Sequence, residues 1–109
     1  MEDGASAFED TEIELTNSGI SGILSNPYPA SSVVFRETPP EYDFRWHPAP
    51  HRQYIILLDG EIEIEVGMGD KRPFRGGDIL LVEDTWGSGH RTHTTNGKLD
   101  RSTLIRLDA

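Results

Sequence analysis

The chain has 109 residues, a formal net charge of −9, 35% hydrophobic residues and no cysteine. That length suits one domain with one modest core. The missing thiols exclude disulfides, thiolate metal sites and cysteine nucleophiles, and the acidity argues against partnership with nucleic acid or anionic membrane surfaces.

The 11 Gly and 7 Pro predict frequent turns between short elements. Residues 1–10 are small and acidic and read as a loose arm, leaving 11–109 as a single domain. The opening residues lack the basic and apolar stretches of a secretory signal. No apolar run approaches the roughly 20 residues of a membrane span, so a soluble cytoplasmic protein is the expectation. Thr11 to Leu15 alternates polar and apolar, as a short strand does. Asn17 to Ser32 is punctuated by Gly, Pro and Ser and reads as loop. Ser32 to Arg36 reads as a strand ended by Pro39 and Pro40, and Tyr42 to His47 as another, closed by Pro48 and Pro50.

Gln53 to Leu58 is a nearly continuous apolar run, which predicts a strand buried on both faces. The Asp59-Gly60 pair after it is a hairpin signal. Glu61 to Val66 alternates without interruption, so Ile62, Ile64 and Val66 face inward and Glu61, Glu63 and Glu65 face water. A turn at Gly67–Asp70 leads to a short strand over Arg72–Arg75. A further turn at Gly76–Asp78 leads to a second buried strand over Ile79–Val82. His90–Thr95 and Ser102–Leu107, separated by Asn96-Gly97, complete the pattern. No helical period persists. Roughly eight or nine short strands with regularly spaced turns predict an all-β, antiparallel sandwich or barrel.

All 4 histidines fall in two clusters. His47 and His51 precede the apolar run, and His90 and His93 follow Ile79–Val82. Neutral imidazole is the commonest protein ligand for transition metals and the readiest acid–base group near pH 7. Strand alternation places Gln53 on one row with Ile55 and Leu57, and His90 on one row with Thr92 and Thr94.

The stretch from Trp46 to Thr92 resembles the cupins, small barrels of jelly-roll topology. Against their first motif, Gln53 with Gly60 seven residues on stands in the place of the usual glutamate. His47 takes the place of the first histidine and Ala49 that of the second. Against the second motif, Gly77-Asp78 matches the Gly-Asp turn and Gly87-Ser-Gly-His90 matches Gly-x-x-His. Thr85 replaces the proline, and Thr94 stands where asparagine is usual. The wording of the segment looks like the small single-domain bacterial cupins. The resemblance implies a single antiparallel jelly-roll β-barrel with a polar centre in its lumen, two of whose four usual ligands are replaced.

If His47, Gln53 and His90 all point inward, they form a cluster of two imidazoles and one carboxamide near the barrel mouth. That set could hold divalent Fe, Mn, Ni, Cu or Zn. The alternative is a polar hydrogen-bonded lining with no metal. His51 reads as an exposed rim histidine, and His93, of opposite parity to His90, as pointing away. Tyr42 and Trp86 are candidate walls of a ligand pocket, whereas Phe44 and Trp46 read as core or dimer interface. Arg45 shares parity with His47 and would seek a carboxylate, for which Glu83 and Asp84 are nearest in sequence. It could equally pair with surface glutamates. Three functions fit. The first is a metal-dependent oxygenase, isomerase or lyase acting on a small molecule through His47, Gln53 and His90. The second is a metal-free enzyme with His47 or His90 as general base beside Arg45. The third is a non-catalytic binder of a small metabolite. A homodimer covering one apolar sheet face is expected.

Overall fold

The structure, a computed structural model, describes residues 6–39, 43–47, 49–84, 89–95 and 97–108, with 43–47 and 68 as backbone alone. Its strands are β1 (Asn17–Gly19), β2 (Gly22–Leu24), β3 (Ser32–Thr38), β4 (Asp43–His47) and β5 (Gln53–Asp59), then β6 (Glu61–Glu65), β7 (Lys71–Arg75), β8 (Ile79–Val82), β9 (His90–Thr94) and β10 (Asp100–Arg106). One sheet has the order β3-β10-β5-β8 and the other β4-β9-β6-β7, with β1 and β2 forming a separate hairpin. Every pairing is antiparallel. Among the described residues no helix is long and apolar enough to cross a membrane.

The core lies between the two sheets. Leu57 from one packs with Ile62, Ile64 and Val66 from the other, flanked by Ile55, Leu80, Phe74 and Phe8. The period of two predicted from Glu61 to Val66 is therefore realised, since its three aliphatic residues are buried. On β10 the inward row is Asp100, Ser102 and Leu104, all buried. Register continues that row to Arg106.

The expected burial of β5 and β8 on both faces is not realised. Tyr54 and Ile56 are half-buried, while Leu58 is 57% and Ile79 55% exposed. The physical reason is layering. A second sheet covers one face of the first, and no third layer covers the other. Asp59-Gly60 is likewise not a hairpin turn. It carries the chain from β5 in one sheet to β6 in the other, and those strands do not pair. The turn at Gly76-Gly77 also crosses between sheets, whereas the 3₁₀ turn Gly67–Gly69 closes a true β6–β7 hairpin. Thr11–Leu15 forms no strand, and the span read as loop contains the β1–β2 hairpin instead. Gly22 takes φ +120° at that tight turn, which the Gly and Ser content disguised as irregular chain.

Gly60 shows what the crossing requires. Its φ is +82°, and a Cβ built on it would coincide with a carboxyl oxygen of Asp100. Asp100 is only 2% exposed and accepts a 2.9 Å hydrogen bond from the Thr94 hydroxyl, so it has little room to retreat. Gly77 has φ +96°, but a side chain added there would meet open space. Alanine at Gly77 should thus meet only backbone strain, about 1–2 kcal/mol, a Tm loss of roughly 5–10 °C in a chain of this size. Alanine at Gly60 adds displacement of a buried carboxylate, and a thermal melt should show at least twice that loss.

Candidate functional site

One end of the sandwich collects the polar groups. β5 begins there with Gln53, β9 begins with His90, β4 ends with His47 and β10 ends with Arg106. The register pairs His47 with His90 and places Gln53 between Val82 on one side and Arg106 on the other. Gln53 shares the inner row with Ile55 and Leu57, is 6% exposed, and its Oε1 is buried with no hydrogen-bond partner among the described residues. A buried carboxamide oxygen left unpaired costs about 1–3 kcal/mol.

His90 is oriented from the loop after β8. Its Nδ1 lies 2.7 Å from Asp84 Oδ2, and the two side chains are 13% and 20% exposed. A carboxylate can only accept, so Nδ1 donates to it, and whenever the ring is neutral Nε2 is the Lewis-basic atom. A carboxylate behind a histidine in this way fixes the tautomer and raises its basicity toward a metal or a proton. Asp84 is itself anchored. Its carbonyl accepts a 2.8 Å hydrogen bond from the backbone N–H of Ala49, and its Oδ2 accepts one of 2.6 Å from the Ser6 hydroxyl. Burial alone would raise the Asp84 carboxyl, but hydrogen bonds from His90 and Ser6, with the His90 charge, outweigh it and hold the pKa below the ordinary 3.8.

Ser6 belongs to a docked segment. Its carbonyl accepts from the Gly67 N–H at 3.1 Å. The Phe8 and Phe74 ring centroids are 6.1 Å apart. Arg72 lies 4.9 Å over the Phe8 ring and 2.7 Å from Asp10. This segment borders a cavity of about 660 Å³ that has Ile64, Val66, Leu80 and Val82 on its walls and Asp84 with His90 at its polar side.

The remaining candidates are distributed as follows. Tyr42 and Trp86, and the side chains of Phe44, Arg45, Trp46 and His47, lie outside the described residues. The register of β4 shifts between Phe44 and His47, so parity does not carry from His47 to Arg45. Of the carboxylates the sequence offered to Arg45, Glu83 accepts from Arg52 Nε at 2.9 Å and Asp84 is engaged with His90 and Ser6. His51, read from the sequence as an exposed rim histidine, is half-buried, and its Nδ1 lies 3.2 Å from each carboxylate oxygen of Asp108. His93 Nε2 lies 3.5 Å from Glu63 on the outer face. Among the described residues no three His, Asp or Glu side chains cluster as a metal cage. Sequence reasoning missed Ser6 and Arg106 and did not assign Asp84 to His90. Arg106 had a readable signal, since it shares parity with Leu104 and Ser102.

The low pKa of Asp84 sets a pH dependence. A carboxyl whose folded pKa is depressed adds stability above its unfolded pKa, and this is lost as pH falls through the lower folded value. The Ser6–Asp84–His90 contact should therefore persist at neutral pH and release in acid below about pH 3.8. The Asp84 carboxyl ¹³C shift should report that titration. In Asp84→Asn the Gly67 amide should exchange faster at neutral pH, and unchanged exchange would separate the segment's docking from this carboxylate.

No protein-family model matches the chain, and no curated protein does. Solved structures do. A Cupin 2 conserved barrel domain protein from Salinispora arenicola is 19% identical, with 95% of this chain and 92% of that one covered, at a TM-score of 0.55. An uncharacterized conserved protein with a double-stranded β-helix domain from Klebsiella pneumoniae is 21% identical over 69% of this chain, at a TM-score of 0.53. The cupin domain of Schizosaccharomyces pombe Cnp3 is 17% identical over 78% of this chain, at a TM-score of 0.57. The matched region spans 65% of the Klebsiella chain and 58% of the Cnp3 chain.

Proposed function

This chain has the cupin fold, and on that premise we propose that it binds a small molecule in the lumen through a divalent transition metal ion held by His47, Gln53 and His90. The observation that carries the reading is the buried, unpaired Oε1 of Gln53. An acceptor kept in the interior without a donor fits a cation as partner, and an amide oxygen is a competent though weak ligand because it offers a dipole rather than a charge. The Asp84–His90 pair adds the oriented imidazole that metal sites use. When bound, the ion would act as Lewis acid toward an oxygen of the ligand. The chain's own groups do the rest. Asp84 holds the His90 ring and its Nδ1 proton, Ala49 fixes Asp84 through the backbone, and Ile64, Val66, Leu80 and Val82 give the cavity an apolar side. Ala49, where a further histidine would stand in the family motif, is 3% exposed and contributes only its N–H.

The same hydrogen bond favours a second reading, in which no metal is needed and His90 takes a proton from the ligand with Asp84 stabilising the imidazolium. Elemental analysis separates the two. Protein purified without added ions should carry a stoichiometric transition metal. Competition with a chelator should show affinity lowered about 10–100-fold in Asp84→Asn and raised in Gln53→Glu, with His90→Ala losing the ion. Metal-free protein whose variants all compete alike would remove the metal reading and leave the acid–base one.

We also propose a second copy of the chain as the partner for the outer face of the β3-β10-β5-β8 sheet. Val33 is 54%, Phe35 79%, Leu58 57% and Ile79 55% exposed there, and one such face is self-complementary about a two-fold axis. Light scattering should give a dimer that Phe35→Glu converts to a monomer with an unchanged circular dichroism spectrum. A monomeric unsubstituted protein would contradict this.

A further inference from the structure

A second polar side chain at the same end of the sandwich is a cation, half-buried, with one nitrogen enclosed. Arg106 closes the inner row of β10 and stands opposite Gln53 in the register. Its backbone is pinned, because its carbonyl accepts from the Ser31 N–H at 2.8 Å and from the Ser31 hydroxyl at 3.2 Å. Its Nε is buried and has no hydrogen-bond partner among the described residues. Neighbouring side chains on paired strands stand about 4.5–5.5 Å apart at Cβ. The paired ends of β5 and β10 thus carry an unpaired donor nitrogen opposite an unpaired acceptor oxygen.

The setting makes this unpaired state informative. The chain carries 19 acidic residues against 10 lysines and arginines, so carboxylates are plentiful. Arg52, Arg72 and Arg101 each have one. Those pairs are partly exposed, where an ion pair contributes little. At the same end of the sandwich Asp84 is committed to His90, and Asp108, two residues after Arg106 in the chain, to His51. The enclosed Nε edge of a guanidinium favours an anion as partner, and the planar fork matches a carboxylate.

We propose that Arg106 anchors the carboxylate of a small organic acid in the lumen, beside Gln53. The inference rests on the lumen-binding reading above and adds the chemical class of the ligand. The acid would be held by charge at Arg106, while a second oxygen or hydroxyl next to the carboxylate faces the Gln53 oxygen or the ion bound there.

The test is a titration of the purified protein with glycolate, glycolamide and inorganic phosphate, followed by amide NMR and repeated after treatment with a chelator. Glycolate should shift the Gln53 and Leu104–Leu107 amides saturably, with and without chelator. Glycolamide should bind at least tenfold more weakly. Arg106→Lys should weaken glycolate severalfold by losing the fork, and Arg106→Gln should weaken it at least tenfold while metal content stays as in the unsubstituted protein. Spectral dispersion shows whether each variant folds, and Arg106→Lys retains the test if Arg106→Gln does not. Equal binding of glycolate and glycolamide, or unchanged glycolate binding in the Arg106 variants, overturns the proposal. Phosphate binding without glycolate binding overturns the carboxylate class. Glycolate binding that vanishes with the chelator and ignores Arg106 assigns the acid to the ion alone, which sinks this inference and leaves the lumen reading standing. A protein without metal that still discriminates glycolate from glycolamide through Arg106 does the reverse.

Discussion

Gln53 cannot leave the interior. It is paired on both sides, to Arg106 and to Val82, and its strand carries Ile55 and Leu57 on the same row. Because side chains alternate with a period of two, a slip of one residue would turn Leu57 out and Leu58 in. The other row, Tyr54, Ile56 and Leu58, is as apolar, so the register is held not by β5 alone but by its pairing to β10 and β8, and the polar group is carried inward with it. The apolar rows of the sandwich thereby hold a polar end in place.

The rest of that end is arranged around the same constraint. β9 starts at His90, opposite the last residue of β4, and β8 runs directly into the loop that supplies Asp84. Asp84 connects three separate parts of the chain. Its carboxylate joins His90 to Ser6, and its carbonyl holds Ala49. Desolvation works against that charge, and the hydrogen bonds overcome it. The residues 6–10 that cross the cavity edge are thus coupled to the orientation of the imidazole, not merely laid against the barrel.

Much of the fold was legible in the sequence, because it rests on periodicity. The alternation from Glu61 to Val66, the proline-bounded strands and the glycine turns pointed to an antiparallel β architecture, and the motif wording from Trp46 to Thr92 pointed to its kind. Connectivity was less legible. Asp59-Gly60 has the composition of a hairpin but crosses between sheets, and what demands glycine there is the buried carboxylate of Asp100, far along the chain. Local sequence holds no record of that contact. Parity grouped Gln53 with Ile55 and Leu57, and His90 with Thr92 and Thr94, and left open which row faced inward. The Asp84–His90 and Ser6–Asp84 hydrogen bonds were not legible, since they join loops whose path no period encodes. Arg106 was missed although it shares the parity of Ser102 and Leu104, and its unpaired Nε is visible only in the structure.

The chemistry of this end comes down to one oxygen atom. A high-resolution crystal structure of the protein as purified, with anomalous scattering measured at transition-metal absorption edges, tests its role most directly. A metal held there predicts an anomalous peak within about 2.0–2.2 Å of Gln53 Oε1 and of His90 Nε2. A Gln53 oxygen found accepting a hydrogen bond from a protein donor, with no anomalous peak beside it, would contradict that role.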